Sequence, residues 1–302
     1  LKGDVSLQDL SHPQDAYIFG NLSNLYADPD GIAFFVRNLS KDYKGVPPAL
    51  QHLGTISFRG EISGYFTDLV TYGEVRTDIG TVKTDVKFSS DKEKGYFSYS
   101  GAVKTAEFEL GKLLANDKFG KVTFNMDVKG SHYAKRYPSV TMKGLVASID
   151  YSDYTYENIT LDGEYKQGGF NGNVSFDDEN GAIQLNGSIN TAGKIPTFNF
   201  RADVDHFRPN TLHLTPKYKD TEISVKIKAD FTGSSINDMN GEINIDSLQY
   251  TAPDQSFFMD NLRIAATQND ERQKRLTINS NFLRGTIEGD YSYQTLPTGV
   301  LN

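Results

Sequence analysis

Lys121-Val122-Thr123-Phe124-Asn125-Met126-Asp127-Val128-Lys129 places an apolar side chain at every even position and a polar one at every odd position. Side chains of a β-strand point alternately to opposite faces, so this pattern describes a strand with one apolar and one wet face. Glu222 to Phe231 repeats it: Ile223, Val225, Ile227, Ala229 and Phe231 alternate with Glu222, Ser224, Lys226, Lys228 and Asp230. The same alternation recurs at Thr55 to Ile62, Phe97 to Val103, Ile159 to Tyr165, Phe170 to Phe176, Ile183 to Ile189 and Phe198 to Val204. Ile243 to Ile245, Leu276 to Phe282 and Ile287 to Tyr291 complete the set. Buried parallel strands read as near-continuous apolar runs, so alternation this regular predicts a mostly antiparallel sheet. Short linkers of turn residues separate the strands, among them Ser90 to Gly95, Gln167-Gly168-Gly169, Asp177 to Gly181 and Ser234 to Asp238. Together these predict an all-β chain of roughly fifteen or more strands.

Helical signals are few. Asp28-Pro29 reads as an N-cap followed by proline at the first helical position, and Ile32, Phe35, Val36 and Leu39 then share a helical face. This predicts an amphipathic helix insertion over residues 28–45. Shorter turns are expected from Pro48 to Leu53, closed by Gly54, and at Glu109 to Leu114 and Pro209 to His213. No Pro- or Ser-rich linker interrupts the chain, which therefore reads as one continuous segment, 1–302, without an internal boundary. Three times a strand leads into a short helical segment: Phe19 to Leu22 toward Ile32, Tyr99 to Val103 toward Leu113, and Phe200 to Val204 toward Leu212. Uneven spacing leaves both a worn repeat and coincidence open.

Glycine recurs where an inward apolar side chain is due, at Gly60, Gly64, Gly101, Gly163, Gly172, Gly187 and Gly289. Glycine within a strand marks a bend, a bulge or a close backbone approach. Either the sheet twists over an ordinary core, or it is creased lengthwise with large apolar residues on two facing walls. On the second reading the fold is a long, strongly curved, mostly antiparallel sheet forming a U-shaped groove, with a few short helices. Its lining would be Ile56, Phe58, Ile62, Phe97, Tyr99, Val122, Phe124, Met126, Val128, Ile159, Leu161, Phe170, Val174 and Phe176. Further along it would continue through Ile183, Leu185, Ile189, Phe198, Phe200, Ile223, Val225, Ile227, Phe231, Ile243, Ile245, Leu276, Ile278 and Ile287. A groove and a closed sandwich require the same alternation.

Composition narrows the classes of function. Of 302 residues, 31 are Lys or Arg and 39 are Asp or Glu, a net charge of −8. Without a basic block, neither nucleic acid nor a polybasic membrane anchor is expected. There are 19 Phe and 17 Tyr but no Trp, and no Cys for a thiolate nucleophile or a thiolate-held metal. No apolar run approaches the roughly 18 residues that a spanning helix needs. The chain opens at Leu1 with no signal peptide, so it is expected to be a piece of a longer protein whose anchor lies elsewhere.

Chemistry-bearing constellations are sparse. His12, His52, His132, His206 and His213 show no metal-ligand spacing, although His206 and His213 lie near Asp203 and Asp205. Exposed loop residues are the simpler reading of that group. Asp177, Asp178 and Glu179 lack the order of a calcium loop and read as a solvated hairpin. The acidic residues stand in outward register or in turns, whereas glycoside cleavage needs two carboxyls facing across a cleft. No enzymatic activity, cofactor or metal is expected.

Several ordered stretches resemble a known family. Phe58 to Leu69, Val103 to Leu114 with Gly120 to Phe124, Tyr154 to Tyr165, Leu185 to Ile189 and Met239 to Leu248 carry the likeness, which covers nearly the whole chain. The chain is similar to an interior fragment of a TamB-like (translocation and assembly module) protein of the Bacteroides type, in the wider AsmA-like envelope family. The resemblance implies a periplasmic β-groove rod, with its parent anchored in the inner membrane of a Gram-negative envelope. It further implies involvement in moving phospholipid to the outer membrane and in assembling outer-membrane proteins, with no catalytic residues.

Three functions remain in view. The first is a hydrophobic groove that shields and conducts phospholipid acyl chains between inner and outer membrane. A 16-carbon chain leaving a bilayer faces on the order of 12 kcal/mol, at about 0.8 kcal/mol per methylene, unless apolar surface accompanies it. The second is a scaffold that assists outer-membrane β-barrel assembly by strand addition, with a barrel protein as partner. The third, a carbohydrate-binding β-solenoid, is disfavoured by the absence of Trp.

Overall fold

The structure, a computed structural model, describes residues 2–9, 16–31, 51–65, 67–91, 95–133, 139–268, 273–290 and 292. Seventeen strands account for most of them. The first nine are β1 (Lys2–Gln8), β2 (Tyr17–Ala27), β3 (Ile56–Tyr65), β4 (Asp68–Thr77), β5 (Gly80–Asp91), β6 (Tyr96–Glu109), β7 (Phe119–Tyr133), β8 (Ser139–Tyr151) and β9 (Tyr154–Lys166). The rest are β10 (Gly169–Asp178), β11 (Gly181–Asn190), β12 (Thr197–Phe207), β13 (Glu222–Thr232), β14 (Asn240–Ala252), β15 (Gln255–Gln268), β16 (Lys274–Asn279) and β17 (Arg284–Gly289). Among the described residues the complete elements besides the strands are one short helix, α1 (Leu110–Leu114), and a 3-10 turn at Ile236–Asp238. The chain divides into two compact units, Leu1–Thr160 and Leu161–Asn302, and the division falls inside β9 rather than at a linker.

In the first unit, β1 to β8 form a meander in which each strand pairs antiparallel with the next. In the second unit β10 to β17 do the same. The fold is all-β and antiparallel, as the alternation predicts. Tight hairpins set the register. Gln167 and Gly168 both take positive φ, 53° and 73°, in the β9–β10 turn, as a two-residue turn matched to strand twist requires.

Three strands carry a bulge just before a helical segment. Leu22 and Leu25 of β2 oppose Gly60 and Phe58, Thr105 and Phe108 of β6 oppose Phe124 and Val122, and Val204 and Phe207 of β12 oppose Val225 and Ile223. Each bulge inserts one residue, which keeps Leu25, Phe108 and Phe207 on the same face as the residues before it. The diverted N–H of Glu107 donates to Thr123 Oγ1 and that of His206 to Ser224 Oγ, both at 3.0 Å. After β2 the chain is helical at Pro29 to Gly31, where Gly31 N–H donates to the capping Asp28 Oδ1 at 2.7 Å. The rest of the expected 28–45 helix lies outside the described residues. After β6 comes α1, and after β12 a turn in which Leu212 N–H donates to the Arg208 carbonyl.

Candidate functional site

Cross-strand partners in an antiparallel pair point to the same face, so the register decides which side chains stand together. In the first unit one row runs Leu22, Gly60, Gly73, Thr84, Val103, Met126 and Gly144, each residue directly opposite the next. The adjacent row runs Gly20, Ile62, Thr71, Val86, Gly101, Val128 and Met142. A third contains Phe58, Val75, Val82, Thr105, Phe124 and Val146, and a fourth Gly64, Leu69, Phe88, Tyr99, Gly130 and Val140. Ile56 extends this face at one end of β3 and Phe97 at one end of β6, where Phe97 stacks on Phe88 with centroids 6.2 Å apart. Ile159 lies half-buried in β9.

In the second unit the rows are more uniformly apolar. Phe176, Ile183, Val204, Val225, Leu248 and Met259 form one, and Val174, Leu185, Ala202, Ile227, Ile245 and Leu262 the next. Gly172, Gly187, Phe200, Ala229, Ile243, Ile264 and Ile278 follow, then Phe170, Ile189, Phe198, Phe231, Gly241, Ala266, Leu276 and Ile287. Phe198 and Phe231 stack with centroids 4.7 Å apart. Ile223 continues the face beside Phe207, Gly289 ends it opposite Lys274, and half-buried Leu161 lies on β9. The last of these rows crosses eight strands, about 34 Å at about 4.8 Å spacing.

Few polar groups stand on this face, and two threonine hydroxyls there turn back on the backbone. Among the described residues of β2 to β8, no Asp, Glu, Lys or Arg stands in the four rows of the first unit. Thr71 Oγ1 donates to the Val86 carbonyl at 3.2 Å and Thr105 Oγ1 to the Thr81 carbonyl at 2.6 Å, which leaves their methyl groups on the face. On the other face charges pair across strands: Lys87 with Asp68 at 2.9 Å, Lys226 with Asp203 at 3.2 Å and Lys228 with Asp246 at 2.9 Å. The Asp68 carboxyl is held below its ordinary range by hydrogen bonds from Ser89 and Lys87, and that of Glu242 by Arg263 and Asn244.

Burial along the apolar face is uneven. One end in the first unit is a true core, in which Ile79, Phe108 and Val122 are buried under Leu53, Leu110 and Leu113. Elsewhere most of the expected lining is half-buried, including Ile62, Val128, Phe170, Leu185, Phe200, Val225, Ile227, Ile243 and Ile278. Phe58, Met126 and Phe176 are buried, and Phe97 is exposed. Gly60, Gly64, Gly101, Gly163, Gly172 and Gly187 occupy places with no room for a side chain. A Cβ at Gly101 would lie 2.0 Å from the Asp85 carbonyl oxygen, and one at Gly163 within 2.6 Å of the Phe170 ring.

Sequence reasoning missed Val75, Val82, Val86 and Phe88, because β4 and β5 place Thr and Gly inward and Val70 and Tyr72 outward, which blurs the alternation. The expected strand from Leu276 to Phe282 ends at Asn279, and Ser280 to Leu283 form a turn closed by Ser280 N–H donating to the Leu283 carbonyl. His206 is explained locally: Nε2 lies 3.2 Å from the Asp178 carbonyl and Nδ1 3.5 Å from Asp205. Among the described residues, no three His, Asp or Glu side chains converge as metal ligands would.

No family model, no curated protein and no solved structure matches the chain.

Proposed function

We propose that this chain is a groove segment of a periplasmic envelope protein that shields and conducts phospholipid acyl chains between the inner and outer membranes. The observation that carries this reading is the succession of apolar rows across β10 to β17, half-buried along most of its length, with mainly charged and polar side chains on the opposite face. Acyl chains need no directional contact, only continuous apolar surface at about 25 cal/mol per Å² removed from water. The resemblance to TamB-like proteins supplies the compartment and the cargo. The groove is read as non-enzymatic and independent of cofactors.

The test is mass spectrometry of lipid retained by the purified chain and by Val225→Asp. Val225 lies mid-strand between Val204 and Leu248 and is half-buried. A carboxylate there costs several kcal/mol in an apolar surround unless water reaches it. The expected result is a folded variant that has lost the phospholipid the parent chain retains. A parent chain without lipid, or a variant that retains as much, would overturn the proposal.

A further inference from the structure

We propose that the polar face of the second unit carries a saccharide-binding site, walled at one end by Phe258. A hollow of about 440 Å³ lies there, lined mainly by outward-register side chains, with Ala182, Val204 and Val225 of the same strands also bordering it. Its floor is two adjacent cross-strand rows. Gln184, Asp203, Lys226 and Ser247 face one another in the first, and Ser224, Gln249 and Phe258 in the second. The concavity has a local cause. The bulge of β12 between Val204 and Phe207 and the register shift opposite Lys226 and Ile227 both bend the strands here, as bulges do.

Phe258 is the anomaly that points to a ligand. It is 63% exposed beside a floor made largely of charged, amide and hydroxyl side chains. An exposed aromatic ring beside a polar floor suits a molecule with one apolar face and a polar perimeter. The perimeter groups are of both kinds. The Gln184 and Gln249 amides make no hydrogen bond among the described residues and offer donors and an acceptor each. Asp205 is held ionised by the Ser224 hydroxyl at 3.0 Å and by His206, and Asp203 is paired with Lys226 at 3.2 Å. With two carboxylates against one ammonium, the hollow disfavours phosphate and other anions. A neutral pyranose ring fits: C–H bonds on one face for Phe258, and hydroxyls that both donate and accept for the amides and carboxylates. The volume lies within the ordinary range for small-ligand sites.

The probe is a panel of methyl glycosides (glucose, galactose, mannose and N-acetylglucosamine), read by saturation-transfer difference NMR on the whole chain. A ligand of this size in an open hollow is expected to bind with a dissociation constant of about 1 mM. Saturation should concentrate on one ring face, and Phe258→Ala should weaken binding about tenfold. Gln249→Ala should weaken it severalfold, while Phe282→Ala, equally exposed but in the turn after β16, should leave it unchanged. Phe258 and Gln249 are exposed, so thermal melts of these variants should match the parent. Silence from all four glycosides at about ten times that constant would overturn the proposal. Equal loss in Phe258→Ala and Phe282→Ala would overturn it too. Either failure leaves the groove untouched, since the two sites lie on opposite faces.

Discussion

Gly187 sits in β11 with φ +141°, and a Cβ there would stand 2.2 Å from the Asn199 carbonyl oxygen of β12. That contact is with backbone, so no rotamer change relieves it, and the positive φ adds strain for any L side chain. Gly187→Ala should therefore destabilise the chain by about 2–4 kcal/mol in urea denaturation. Gly285, also in a strand of the second unit, has nothing within 4 Å of its missing Cβ. Gly285→Ala should fall within about 0.5 kcal/mol of the parent. If both variants lose stability equally, the crease glycines are ordinary strand glycines and the close-approach explanation is wrong. The pattern of inward glycines was legible in the sequence. Their cause was not, because close approach depends on which carbonyl the neighbouring strand presents.

At the scale of elements, the period-two pattern located strands such as β7, β10, β11 and β13, and failed where a bulge adds a residue. The expected Phe97 to Val103 strand runs on to Glu109, because the bulge before Phe108 shifts the apolar position by one and breaks the alternation. The same break hides the ends of β12 and the middle of β14. Turn chemistry read more reliably. Ser234 to Asp238 caps the 3-10 turn, with Asp238 Oδ1 accepting from Ser235 Oγ at 2.6 Å and Oδ2 accepting from Ser234 Oγ at 2.6 Å. These bonds and those from the two backbone N–H groups hold the Asp238 carboxyl well below the usual carboxylate range. A folded-state value below the unfolded one means the stabilisation is complete above about pH 4 and fades as pH falls below it. Asp238→Asn should lower Tm at pH 7, and the gap to the parent should close progressively below about pH 4. A gap that stays constant to low pH would show that the carboxylate charge is not what stabilises the turn.

Across the whole chain, charge and apolar surface are separated by strand register rather than by distance. A one-residue step along β13 passes from Val225, opposite Val204, to Lys226, opposite Asp203. Every expected lining residue except Phe97 is at least half-buried, which is why one strand's alternation was enough to place it. The outward hollow beside Phe258 was not legible, since it needs five strands brought together by two irregularities in register. The most direct measurement is a photo-crosslinking scan in cells, with a benzophenone side chain placed singly at each position from 223 to 228. Phospholipid adducts at 223, 225 and 227, and none at 224, 226 and 228, are the predicted result. Adducts at every position, at none, or at the even positions alone would contradict an acyl-chain groove on this face.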